Sequence, residues 1–512
     1  MENKEIKLIG GASFIYALMF VFCLYQCTSG FTNILWMIST VIFMLYIAVK
    51  LEKKWTRMNT FISMVLVLLG MSNMSTGDGE IIFFNYVVII VLVCVNILFL
   101  HSKEKMETVL KSLGRLINAA VRIMGNMGKP FSHSVRYIKL AKIKENEKAR
   151  YILIGIVSAV PIAAFVVVLL TSADGVFREG LRRIFNFGNS VVTIIEVLLI
   201  FIIGYMISYA AALFLKQDVE IAGDDGKKIT ALPVAIVTAV VTGVYVIFSI
   251  VQILYLFIGK GTLPSGYTYA EYAREGFFQL LFLSAINIVV VLICMELVEK
   301  SKILKILLYP FCVCTIIMAF SSAYRMKMYI SEYGLTAMRI YVLWALGLMI
   351  AIVAGMILKL MFKKMNLFYY CVVICCMCFL ILSYSHKDYF IAKYNFSRYD
   401  KMCEIEEKSE RQNEENDISE DLYEEQDENS DKLYEYVDME YLMELSTDAA
   451  PAMVEYKKEI EEYMRVKEWN WTDFDWCYIE WGVEGEIHNH LGIRNFNISR
   501  WYSRKCLDEL QK

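Results

Sequence analysis

The chain has 512 residues, of which 57% are hydrophobic, and a mean hydropathy of +0.47. A soluble domain is roughly 45–50% apolar, so this composition excludes an ordinary soluble fold. The net charge of −3 hides a division: 35 basic and 21 acidic residues precede His386, and 16 basic and 33 acidic residues follow from there. An acidic tail of that balance is excluded as a nucleic-acid surface, because phosphate contacts need the opposite sign.

The apolar residues gather into runs of bilayer-spanning length, about 20 residues each. Leu8–Thr28 comes first; it lacks a small-residue cleavage site and reads as a retained span rather than a signal peptide. Further runs are Phe31–Val49, Phe61–Met74, Ile81–Leu100, Tyr151–Leu170, Val191–Leu215, Ala231–Phe257, Phe277–Val298, Ile306–Tyr324, Thr336–Leu360 and Leu367–Ser385. The expected fold is therefore an all-α polytopic membrane protein of about eleven spans, with Phe61–Met74 the shortest. Placing residue 1 on the cytoplasmic side puts 27 Lys and Arg residues in cytoplasmic segments and 7 in the opposite loops. The positive-inside rule favours that orientation, with the acidic tail outside a plasma membrane.

Five regions follow from this pattern. Residues 1–100 form a four-span segment, and 101–150 a basic cytoplasmic loop. Residues 151–385 form a seven-span core, 386–436 an acidic linker, and 437–512 a small aromatic-rich module outside. The basic loop holds 12 basic and 4 acidic residues. Within it Val109, Leu113, Leu116, Ile117 and Met124 recur at near-helical spacing, between Lys111, Arg115 and Arg122. That pattern suits an amphipathic helix drawn to anionic lipids, although it also suits a solvated positive loop. Among the outer loops, Thr171–Ser190 has an apolar face of Phe177, Leu181, Ile184 and Phe185 and reads as an interfacial helix. In Leu263–Phe278, Thr268 to Glu271 has capping-box spacing.

In the tail, Glu404–Glu435 holds 15 acidic and 3 basic residues and should be disordered. The tract with Trp469, Trp471, Phe474, Trp476 and Trp481 is too aromatic for disorder. Asn395-Phe-Ser-Arg-Tyr399 is echoed by Asn497-Ile-Ser-Arg-Trp501, which suggests a shared role in pinning the two ends of the tail.

Polar residues near the outer ends of the spans are the candidate site: Asp174, Glu196, Glu271, Arg274, Arg325, Thr336 and Arg339. Charges inside a bilayer need partners or water, so a pair such as Glu196–Arg339 is expected. An arginine fork would also suit a lipid headgroup or an anionic solute. The competing explanation is a set of salt bridges that lock helices together. Asn33, Asn85, Asn96, Ser284 and Asn287 should hydrogen-bond between helices, and Gly204 and Gly243 should allow close packing. No cofactor or metal site is expected. His488 and His490 beside Glu484 and Glu486 read as a solvated turn, and the ten cysteines in apolar runs read as small core residues. Zincin, nucleophile-elbow and P-loop motifs are missing from the sequence.

Several motifs resemble a family of bacterial multi-pass membrane proteins, domain-of-unknown-function family 4173. They are Ser172-Ala-Asp174 with Val176-Phe177, Pro264 to Phe278, Tyr333-Gly-Leu-Thr-Ala-Met-Arg-Ile-Tyr341, Asp438-Met-Glu-Tyr-Leu442, Leu445-Ser-Thr-Asp-Ala-Ala-Pro451 and Asn495 to Arg500. The resemblance implies a bacterial membrane protein and brings no activity with it. On the residues alone, a non-enzymatic envelope scaffold, sensor or assembly factor is the first expectation. A transporter or lipid-handling protein using the outer polar cluster is the second, and a membrane enzyme acting on lipid-linked substrates the third.

Overall fold

The structure is a computed structural model, and it describes residues 3–27, 29–101, 108–130, 132–133, 166, 188–217, 228–254, 277–398, 401, 438–458, 460 and 492–510. Its helices are α1 Asn3–Leu24, α2 Phe31–Lys50, α3 Arg57–Ser75, α4 Gly79–His101, α5 Val109–Asn126, α6 Gly188–Lys216, α7 Ala231–Gln252, α8 Phe277–Glu296, α9 Lys302–Tyr333, α10 Ala337–Met361 and α11 Leu367–Ser383. After α11 come α12 Lys387–Arg398, then α13 Met439–Met443, α14 Ala450–Glu455 and α15 Ile498–Leu510. A hydrocarbon core offers no partner for a bare amide, so apolar runs of this length close their hydrogen bonds within a helix. Among the described residues nine helices are long and apolar enough to cross a membrane. Counting α11 and α12, bent by 57°, as one broken span makes ten. The chain is an all-α polytopic membrane protein. The expected span Tyr151–Leu170 lies outside the described residues, apart from position 166.

Three boundaries differ from the hydropathy reading, each for a local reason. The short third run belongs to a 19-residue helix, because a capping box starts it at Arg57. There the Asn59 amide donates to Thr56 Oγ1 at 3.3 Å, and the Thr56 amide donates to Asn59 Oδ1 at 3.0 Å. The ninth run does not end at Tyr324: the helix goes on to Tyr333, so that α9 has 32 residues in all, about 48 Å at 1.5 Å per residue. Its polar last turns are held by packing, since Met326 and Ile330 join Phe277 and Leu346 in a small core. The linker expected from residue 386 begins with helix α12 instead. Ile391, Ala392 and Phe396 make one face there and are fully buried.

The spans pack as two groups. Helices α1 to α4 and α6 form one, and α7 to α11 the other. They meet where α11 touches α3 and where α5 crosses beneath both. Buried amides and hydroxyls fasten the helices. Asn85 donates to Asn73 Oδ1 at 2.7 Å, and Ser383 donates to Asn85 Oδ1 at 2.8 Å. Asn59 donates to Asn96 Oδ1 at 2.6 Å, Tyr86 to Asn33 Oδ1 at 2.9 Å, and Tyr245 to Asn287 Oδ1 at 2.9 Å. Such bonds are worth about 0.6 kcal/mol each between spans, so they set register more than stability. Ser284 departs from the expectation and donates to Leu280 O in its own helix. Gly204 seats Phe20 of α1, where a Cβ would come within 2.8 Å, while Gly243 faces open space.

The bundle has two unlike ends. The α1–α2, α3–α4 and α9–α10 turns gather at one end with the tail, and the basic segments at Lys50–Arg57, α5, Lys300–Lys305 and Lys359–Lys364 lie at the other.

A candidate functional site at the tail end of the bundle

Between α3 and α4 the chain turns through Thr76, Gly77 and Asp78. This turn is the floor of the site. Asp78 caps the incoming helix, accepting the Glu80 amide at 2.9 Å on Oδ1. Its other oxygen lies 2.7 Å from Lys387 Nζ, the first residue of α12. Lys387 also reaches Asp388 Oδ1 at 2.8 Å and Glu80 Oε2 at 3.5 Å. The side chains of Lys387, Asp78 and Asp388 are only 3–5% exposed. One ammonium thus serves two buried carboxylates. Burial, and then the Asp388 charge, push the Asp78 carboxyl up to about 6, and the nearby ammonium only partly opposes this. Tyr341 of α10 closes the group by donating to Glu80 Oε2 at 2.7 Å.

The tail enters from the opposite side. Asp448 accepts from Thr76 Oγ1 at 2.5 Å, from the Gly77 amide at 2.9 Å and from His386 Nδ1 at 3.1 Å. Burial raises the Asp448 carboxyl, but hydrogen bonds from His386, Ser499 and Thr76 outweigh it, and the net shift is downward. His386 moves the other way, upward, mainly through its bond to Asp448. The Ser446 amide donates to Asp388 Oδ2 at 3.0 Å, which ties the tail to the lysine cluster. Gly77 has no room for a side chain, since a Cβ would overlap Thr447 Oγ1.

Helix α15 completes the closure. Asn497 donates to Asn73 O at 3.2 Å and to Thr76 O at 2.8 Å, and Thr447 and Ser499 hydroxyls meet at 2.8 Å. Arg494 donates to Phe22 O at 2.6 Å and Tyr25 O at 3.0 Å at the end of α1, with its guanidinium over the Phe22 ring. Its own carbonyl sits against Gly30, where a Cβ would come within 2.6 Å. Met439, Leu442, Leu445, Ala449 and Met453 pack on Ile391 and Phe396 of α12 in one core.

The Tyr333–Tyr341 motif is part of the same surface. Gly334 ends α9 with φ +77°, a conformation that favours glycine. Asn395 of α12 clamps the next residue, accepting the Leu335 amide at 2.8 Å and donating to Leu335 O at 2.9 Å. The echoed asparagines Asn395 and Asn497 therefore do the same thing, each gripping the backbone of a bundle turn. Thr336 stands at the N-cap of α10, and the Ala337 amide donates to Tyr441 OH at 3.0 Å.

Of the sequence candidates, Asp174, Glu271 and Arg274 lie outside the described residues, as do the acidic run Glu404–Glu435 and the expected interfacial helix Thr171–Ser190 apart from its last three residues, which begin α6. Glu196 is exposed two turns into α6. Arg339 donates to Tyr333 O at 2.8 Å and to Gly334 O, and covers the Tyr329 ring at 4.6 Å, so its guanidinium serves its own turn rather than Glu196. Arg325 is buried in α9 at 8% exposure. The charged pairs that sequence reasoning missed, Lys387 with Asp78 and His386 with Asp448, had a signal. Lys387 is a charge two residues after an apolar run, and Asp448 lies inside the Leu445–Pro451 motif. Among the described residues no group of three or more His, Cys, Asp or Glu is placed to hold a metal ion.

No curated protein and no solved structure matches the chain. A family model described as a domain of unknown function, DUF4153, matches residues 63–456. The motif resemblance pointed to family 4173; the number differs, and the kind of family is the same. The match runs from α3 through the Asp78 turn, the Tyr333–Tyr341 motif and α12 to the end of α14, and so covers more than half of the 512 residues. The chain belongs to the family of the domain of unknown function DUF4153.

Proposed function

We propose that this integral membrane protein is a non-enzymatic scaffold or assembly factor of the cell envelope, whose tail is a built-in cap on the extracytoplasmic end of the bundle. One observation carries the reading: Asp448, Asn497 and Arg494 spend their polar groups on the turns of the bundle itself. Side chains committed to structure in this way are poor candidates for a reaction, and they hold a platform in place for the rest of the tail. The Lys and Arg bias of the loops supports placing this end outside the plasma membrane.

Two tests apply. Reporter fusions after Ser385 and at the end of the chain should be active only as extracytoplasmic reporters; activity confined to cytoplasmic reporters would reverse the orientation. In cells lacking the protein, a chain without residues 437–512 should fail to complement, whereas Arg339→Ala at normal abundance should complement. The opposite pattern would favour a transport or lipid-handling site.

A further inference from the structure

Helix α5 is the one long amphipathic helix of the described chain that crosses no membrane, and its surroundings fix its depth. Both oxygens of Glu296, the last residue of span α8, accept its first amides: Val109 at 2.5 Å and Leu110 at 2.8 Å. The helix also packs on α4, α6 and α11. It begins shortly after His101 ends α4, and His133 beyond it meets Tyr209, two turns from the end of α6, at 2.8 Å. The helix thus lies across the ends of several spans, at the level where a bilayer surface must be.

Around its axis α5 has three sides rather than two. Val109, Ala119 and Ile123 are buried against the bundle. About 100–180° around the axis stand Leu113, Ile117, Val121 and Met124, exposed by 44, 66, 63 and 68%. The remaining side carries Lys111, Arg115 and Arg122. A solvated loop helix needs no apolar side besides the one it buries. A helix lying in the interface does: one side for the bundle, one for acyl chains and one for headgroups.

We propose that α5 is seated in the membrane leaflet at the basic end of the bundle, with Leu113, Ile117, Val121 and Met124 among acyl chains and its basic side on anionic lipid phosphates. The occupant of the apolar side is lipid, and the adjoining cations select anionic headgroups.

The test uses the full chain in nanodiscs, with benzoylphenylalanine in place of Ile117. The nanodiscs contain phosphatidylcholine alone or with phosphatidylglycerol at about a third. After irradiation, mass spectrometry should find lipid adducts at position 117, and the anionic lipid should be enriched several-fold over its share of the bilayer. The triple change Lys111→Gln, Arg115→Gln, Arg122→Gln should remove the enrichment and keep the adducts. Adducts to a second protein chain would show a protein-covered face and overturn the proposal. So would a probe that yields neither lipid nor protein adducts. Adducts without anionic enrichment would overturn its headgroup half.

Discussion

The two ends of the bundle solve the problem of charge at a membrane surface in opposite ways. At the tail end Lys387, Asp78, Asp388 and Asp448 are buried, and their partners come from turns, α12 and a distant part of the chain. At the basic end the charges stay at the surface, and the carboxylate of Glu296 goes to helix amides. The difference teaches that the tail end is closed by the protein itself, while the basic end remains available to the membrane. Buried charges are costly alone and strongly coupled in pairs, so damage at the two ends should differ sharply in size.

The largest effect should come from Lys387→Met. Asp78 and Asp388 would be left buried without their ammonium, and breaking such a pair costs about 3–5 kcal/mol. The measurement is protease cleavage of the tail in intact membranes, which should change from slow to rapid. An Arg122→Gln change at the other end should leave it alone; if both variants release the tail equally, the contrast between the ends fails.

Asp448→Ala comes next. It strands the Thr76 hydroxyl, the Gly77 amide and the His386 ring, and hydrogen bonds to a charged group are worth about 1.5–3 kcal/mol each. We expect a fall of about 3 kcal/mol in tail docking, read by the same cleavage rate. Gly77→Ala should follow at about 2 kcal/mol, since the added methyl must displace Thr447. A Gly243→Ala change, which meets nothing, is the control.

The smallest effect is that of pH. The His386 pKa is raised in the docked state, so its contribution is complete below about 6.5 and is lost as pH rises through the raised value. Asp78, raised from 3.8 to about 6, acts in the same direction: its carboxyl favours docking when protonated, and that advantage disappears as pH climbs through 6. Asp448 is lowered, so its contribution is present above 3.8 and is lost only in stronger acid. Tail cleavage should therefore speed up as pH rises, first from about 3.8 to 6 through Asp78 and then above about 6.5 through His386, and His386→Gln should flatten only the second rise.

How much of this could be read from residues alone differs between the same two regions. The described spans were legible because a bilayer demands long apolar runs, although the third helix starts before its run, at the capping box of Thr56 and Asn59. The amphipathic spacing of α5 was legible too. The tail end was not, because its contacts join residues far apart in the chain, as Thr76 with Asp448 and Gln26 with Asn495 do. Hydropathy also misled at Arg325 to Tyr333, where tertiary packing carries α9 past the end of its apolar run. Arg339 reads in the sequence as an arginine near hydrocarbon, yet two carbonyls of its own turn and the Tyr329 ring receive it. The sequence does hold the docking motifs: Gly334, Asn395, Tyr441, Asp448 and Asn497 all lie in stretches that are distinctive in the sequence alone.

Amide hydrogen exchange on the intact chain in nanodiscs tests the docked cap most directly. The account predicts that peptides from 73–78, 438–455 and 492–510 are protected together, and that Asp448→Ala makes all three exchange faster while α5 is unchanged. Tail peptides that exchange at unprotected rates in the wild-type chain, with the 73–78 turn indifferent to Asp448→Ala, would contradict it.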